Sequence, residues 1–159
     1  MPRVTRKSRL TEFSTLANRN TPGILTTLFL FGMVISARRK ISGFAAYLLT
    51  WLLSYPLIYA GTCRYCPYYG KRCPIPLEGG CVSAFVARGA GAFGYARLFW
   101  AGMAYVLRMS VPAAIIFRDR LRVLGSAYVG VIAAFWTNHL LIEGCPNCIN
   151  SACPLNPDH

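Results

Sequence analysis

A chain of 159 residues is long enough for one compact domain, yet only 14% of it is charged and 55% is hydrophobic, against roughly 25% charge in an ordinary soluble domain. Lys and Arg number 17 against five acids, giving a net charge of +12, and there are seven cysteines. That hydrophobicity excludes a disordered chain, and the lack of any internal period excludes a repeat protein. Glu12, Glu78, Asp119, Glu143 and Asp158 lie far from one another in sequence, which argues against catalysis by a carboxylate pair.

The first element is a basic segment, 1–21, carrying Arg3, Arg6, Lys7, Arg9 and Arg19. It lacks the aromatic interleaving and the associated domain of a nucleic-acid binder. No nucleic-acid partner is expected, and contact with anionic lipid headgroups is the simpler reading. An apolar run follows at 22–37. Its basic approach and its Ile35-Ser36-Ala37 end have the outline of a cleavable signal, but it is read here as a retained span. After the basic turn Arg38-Arg39-Lys40 comes an uncharged run, 43–60. Tyr47, Trp51, Tyr55 and Tyr59 recur in it at every fourth residue, on one helix face. Packing is the expected role of that stripe, with a quinone- or pigment-lining surface as the alternative.

The third apolar run, 98–117, contains Arg108 and, four residues on, Pro112, which removes a hydrogen bond to the Arg108 carbonyl and predicts a local kink. A charge there faces the protein interior or snorkels to the headgroups. No acid lies within any of the apolar runs to pair with Arg108, so the functional reading is a polar notch for a quinone oxygen, an anionic lipid or a partner subunit's carboxylate. The fourth run, 123–142, carries Ser126, Gly130 and Ala134 at helical spacing. Small residues of this kind allow close helix approach in lipid, within the bundle, with another membrane subunit or with a second copy. His139 near its end is a weak candidate ligand to a metal, a haem or a quinone. A hydrogen bond to Glu143 is its expected role.

Spanning ~30 Å of hydrocarbon takes roughly 20 apolar residues in a helix. The sequence therefore predicts an all-α integral membrane protein of four transmembrane helices (22–37, 43–60, 98–117, 123–142), with the lipid bilayer as its first partner. This topology puts the loop 61–97 and the tail 143–159 on one membrane face, and all seven cysteines fall in those two segments. Five basic residues before the first span and five more in the loop favour a cytoplasmic cysteine face, although Arg38, Arg39, Lys40, Arg118, Arg120 and Arg122 crowd the opposite turns.

Cys63, Cys66, Cys73 and Cys81 lie in the loop, and Cys145, Cys148 and Cys153 in the tail. Each group opens with a CxxC pair, which turns two thiolates toward one centre. The leading expectation is a small redox-associated membrane subunit holding an iron–sulfur cluster or zinc. The four loop cysteines suffice for one centre; the tail cysteines need a further ligand, from His159 or from the loop. Tyr65, Tyr68 and Tyr69 are expected to shield it. Four of the cysteines precede proline, which resembles the Cys-Pro ending of bacterial ferredoxin motifs, while the spacings differ from that family. Two alternatives stand beside it. One is a quinone-linked thiol–disulfide oxidoreductase; four spans with a CxxC at a helix end resemble the DsbB and vitamin K epoxide reductase families, but the cysteine number and positions differ, so no catalytic residue carries over. The other is a disulfide- or zinc-stapled accessory subunit of a larger membrane complex. Residues 89–94, Gly-Ala-Gly-Ala-Phe-Gly, match GxGxxG without the strand and acid a dinucleotide site requires, and 82–95 reads instead as an interfacial or re-entrant segment.

Overall fold

The computed structural model describes residues 20–75 and 77–156. The basic segment before residue 20 and the candidate ligand His159 lie outside the described residues. Five helices carry the fold: α1 Thr21–Ala37, α2 Lys40–Gly61, the short α3 Gly79–Phe85, α4 Tyr95–Arg118 and α5 Arg122–Thr137. There is no strand among the described residues. Helices α2 and α4 extend a few residues beyond the apolar runs, with Lys40, Arg97 and Arg118 near their ends, where a long basic side chain can leave the apolar surface, whereas α5 ends at Thr137, short of its run. Counted with the turns that continue them, Lys40–Tyr65, Tyr95–Arg118 and Arg122–Asn147 are long and apolar enough to cross a membrane. Helix α1 is as apolar but has 17 residues, about 26 Å at 1.5 Å each.

Polarity is distributed inside out. Leu30, Val34, Leu52, Phe99, Val106 and Val129 are exposed on the helix surfaces, while Thr21, Ser54, Arg108 and Asn138 are buried. The aromatic stripe of α2 faces inward: Tyr47, Trp51 and Tyr59 are buried, with Tyr47 stacked on Phe29 and Trp51 edge-on to it. Tyr47 donates its hydroxyl to the Phe29 carbonyl at 3.0 Å. Gly32 makes room for that ring, since a Cβ there would collide with the Tyr47 hydroxyl. Helix α4 runs through Pro112, whose ring is buried against the same glycine.

Two fastenings hold the ends of the bundle. At one end, Arg39 and Asp119 form an ion pair joining the α1–α2 turn to the α4–α5 turn. At the other, Glu143 closes the start of α1. Its carboxylate accepts the Asn20 amide at 3.0 Å, the Thr21 amide at 2.9 Å and the Thr21 hydroxyl at 3.0 Å. Asn138 completes the clasp by donating to Glu143 and to Thr21. An anion at a helix N-terminus satisfies amides that have no partner within the helix and complements the helix dipole. A wider, π-type turn over Asn138–Ile142 swings Glu143 into this position. His139 therefore does not bond Glu143 as the sequence reading expected. Its ring stacks on Phe135 at 5.7 Å, and its buried Nδ1 has no hydrogen-bond partner among the described residues.

The Ser126, Gly130 and Ala134 positions point outward and are exposed, so this groove is not used inside the bundle. Gly125 and Tyr128 make the inner contacts of α5 instead.

Candidate thiol centre and buried ion pair

The α2 helix ends at Gly61, and the chain turns at once through a 3₁₀ turn, Cys63–Tyr65. Beyond α5 and the π-type turn that follows it, the chain makes a second 3₁₀ turn at Cys145–Asn147. The two CxxC segments have the same local shape. The Cys66 amide donates to the Cys63 carbonyl at 3.1 Å, and the Cys148 amide to the Cys145 carbonyl at 3.1 Å. Cys66 and Cys148 then leave in extended conformation, with φ −83°, ψ 145° and φ −76°, ψ 135°. The segments meet where the Ile149 amide donates to the Tyr68 hydroxyl at 3.0 Å. Between them lies a cavity of about 320 Å³, walled by Cys63, Cys66, Cys73, Cys145, Cys148 and Cys153. Cys81 is set apart from it, on α3 beside Tyr59.

No disulfide joins any of the seven cysteines. Among the described residues no three of His, Cys, Asp or Glu stand close enough together to hold a metal ion as placed. Burial pushes the Cys66 thiol up to about 12, with Cys148 and Cys153 adding to the shift. Desolvation, with the neighbouring Glu78 adding to it, holds the Cys73 thiol well above its ordinary value as well. A thiol nucleophile needs the opposite environment, one that favours the thiolate. Of the three expected shielding tyrosines, only Tyr68 lines the cavity. Tyr69 donates to the Val86 carbonyl at 2.7 Å, and Arg97 lies 3.8 Å over the Tyr65 ring. Gly89 lies against the same ring, where a Cβ would collide with it, so close backbone–ring packing accounts for a glycine of the Gly-Ala-Gly stretch.

Above the thiols the cavity becomes an apolar crevice between α4 and α5. Leu98, Ala101, Gly102 and Tyr105 form one wall, and Trp136, His139 and Leu140 the other. These two helices touch each other less than α2 touches α4 or α1 touches α5.

Glu78 connects this cavity to the bundle core. It precedes α3 at the tip of the loop, lines the cavity and reaches Arg108 of α4 at 2.9 Å. The two side chains are 6% and 1% exposed. Arg108 Nε donates to the Ser54 hydroxyl at 2.7 Å, and the guanidinium lies 4.9, 4.8 and 4.9 Å from the rings of Trp51, Tyr55 and Tyr105. Arg108 is thus neither snorkelling nor open as a notch: the missing acid arrives from the loop. Its Nη2 has no hydrogen-bond partner among the described residues. The Tyr59 hydroxyl donates to the Leu77 carbonyl, holding the loop down beside Glu78. The sequence reading assigned Glu78 no role and Glu143 only that of a partner for His139; the signal for the first was an intraspan arginine that demands an acid, in a chain with very few. Comparison with known protein families, with characterised proteins and with solved structures finds no match to this chain.

Proposed function

We propose that this chain is a four-span integral membrane protein that holds a thiolate-ligated metal centre at one membrane surface, an iron–sulfur cluster in preference to zinc, as a small redox-associated subunit. One observation carries the reading: six cysteines from two segments eighty residues apart wall a single cavity. Buried thiols packed together resist ionisation because each thiolate would face the others in a poorly solvated site. A metal cation removes that obstacle by replacing the protons. Zinc takes four ligands around a single ion, whereas the surplus of thiols and the cavity volume suit a larger, polynuclear centre. The outward leucines and valines and the inward ion pair support the membrane setting, with α1 as the fourth span. The reducing cytoplasm, where thiols persist, suits the cysteine face, and the exposed Ser126–Ala134 side of α5 suits a lateral partner subunit.

The test is metal analysis and the visible spectrum of protein purified anaerobically in detergent, with thiols counted by alkylation and mass. Bound iron with broad absorbance bleached by dithionite is the expected result. Zinc at one equivalent without colour would reduce the centre to a structural staple. Absence of metal with reversibly exchanging disulfides would overturn it. That last outcome belongs to the second reading, a quinone-linked thiol oxidoreductase, which the crevice between α4 and α5 favours because it leads from the helix flank to the thiols. Labelling of the cysteines in intact cells and in broken membranes tests the orientation.

A further inference from the structure

Three acids lie among the described residues, and each is engaged: Glu78 with Arg108, Asp119 with Arg39, and Glu143 with the start of α1. None is left for Arg64 and Arg97, which meet on the cysteine face, just past the end of α2 and at the start of α4. Their guanidiniums lie 5.3 Å and 3.8 Å from the centre of one ring, that of Tyr65. The Arg64 Nε is buried and has no hydrogen-bond partner among the described residues. Arg97 also stands in the first turn of α4, which contains no acid and is capped by Gly94 without a side-chain bond. A cation there opposes the helix dipole, and an anion complements it.

The backbone around the two arginines is tied in place. The Thr62 hydroxyl donates to the Arg97 carbonyl at 2.7 Å, and the Gly89 amide donates to the Arg64 carbonyl at 3.0 Å. Gly61 brings α2 and α4 together, since a Cβ there would collide with the Trp100 side chain. Between the last turn of α2 and the first turns of α4 runs a groove of about 280 Å³, walled by Leu57, Ala60, Gly61 and Trp100, with Arg97 at the end nearer the membrane surface. Ala60 and Trp100 are exposed, so the groove opens on the outside of the bundle.

Resting on the membrane setting above but not on the thiol centre, we infer that Arg64 and Arg97 bind the phosphate of an anionic phospholipid, with one of its acyl chains in this groove. A guanidinium matches phosphate geometry with paired hydrogen bonds, and basic pockets between membrane helices suit anionic headgroups. The apolar walls that continue from Arg97 favour a lipid over a free phosphate, which would leave them uncovered. A zwitterionic headgroup brings its own cation to the phosphate, so two unpaired arginines gain less from it.

The experiment counts lipids retained by the full chain in detergent, using native mass spectrometry. Dioleoyl phosphatidylglycerol, dioleoyl phosphatidylcholine and inorganic phosphate are compared at equal concentration, and phosphatidylglycerol should be retained in preference. Arg64→Gln and Arg97→Gln should each weaken its binding about fivefold and R64Q/R97Q about 25-fold, which is about 1 kcal/mol per arginine. Lys71→Gln, an equal charge change at an exposed position of the same face, should leave it unchanged. Ala60→Phe fills the groove and keeps both charges; it should also weaken binding, and it reads the site if the arginine variants fail to fold. Equal retention of both lipids by the wild type, undiminished binding in R64Q/R97Q, an equal loss in Lys71→Gln, or inorganic phosphate bound as strongly as the lipid overturns the inference. Carbonate washing of membranes separates the two levels. A chain released by carbonate overturns the membrane setting as well, whereas an embedded chain without lipid preference overturns the site alone.

Discussion

Replacing one member of the Glu78–Arg108 pair should destabilise the protein far more than replacing both. At 2.9 Å and an effective dielectric constant near 20, the attraction between two unit charges is about 6 kcal/mol, and desolvation consumes a large part of it. The net loss on removing one partner is set instead by the charge left behind, about 3–5 kcal/mol for a buried pair. Glu78→Leu leaves the Arg108 guanidinium with Ser54 and three ring faces as its remaining neighbours. Arg108→Met leaves the carboxylate of Glu78 with the Tyr105 hydroxyl at 3.4 Å. In E78L/R108M neither charge remains, and replacement by apolar groups of similar volume is neutral to stabilising for many buried pairs. Thermal unfolding in detergent, followed by tryptophan fluorescence, measures all four proteins. On the scale of soluble domains of this size, each single variant should fall by roughly 6–20 °C, and the double variant should recover most of that. A double-mutant cycle with losses that simply add, or single variants within about 0.5 kcal/mol of wild type, would refute the pairing.

The other fastenings rank below this one. Glu143→Ala removes the acceptor for two backbone amides at the start of α1 and should cost about 1–2 kcal/mol, with hydrogen exchange faster at Thr21 than at Ile35; unchanged exchange there would count against the clasp. Arg39→Ala breaks an ion pair whose side chains are 39% and 26% exposed, and should change stability by less than about 1 kcal/mol in the same melting assay. Gly89→Ala drives a methyl group into the Tyr65 ring, costing about 1–3 kcal/mol, and should change the protease sensitivity of the loop; identical melting and digestion would disprove the contact. In metal-free protein, the Cys66 thiol lies well above neutrality, so it is protonated at pH 7. Its alkylation rate should rise about tenfold per pH unit from pH 7 to pH 10, because the thiolate is the nucleophile. By the same sign, metal uptake should strengthen as pH rises, and a pH-independent rate at Cys66 would contradict its burial.

The helices were legible because each is announced by an apolar run, and hydrocarbon length sets a threshold that three of the four long helices meet among the described residues. Their ends were misjudged by a few residues, since hydropathy does not register a lysine or arginine that completes a helical turn. The convergence of the cysteines followed from counting spans, which alternates the connections between two faces. What could not be read were the partners of the two buried acids. Glu78 is thirty residues from Arg108, and Glu143 more than a hundred from Thr21; neither pairing leaves a periodic trace. The side chain of His139 went astray for a related reason. A regular α-helix would set His139 one turn below Glu143, but the wider turn over Asn138–Ile142 breaks that register.

The Glu143 clasp makes this bundle a closed circuit rather than a row of hairpins. The first helix has its opening turn finished by a residue that emerges only after the last helix is made. Until then, the amides of Asn20 and Thr21 must find acceptors elsewhere. The clasp stands two residues before Cys145, so the contact that ties the start of α1 to the segment after α5 also sets the tail's sulfurs beside the loop's. A chain that stops before residue 143 lacks both the clasp and the tail's half of the thiol cavity.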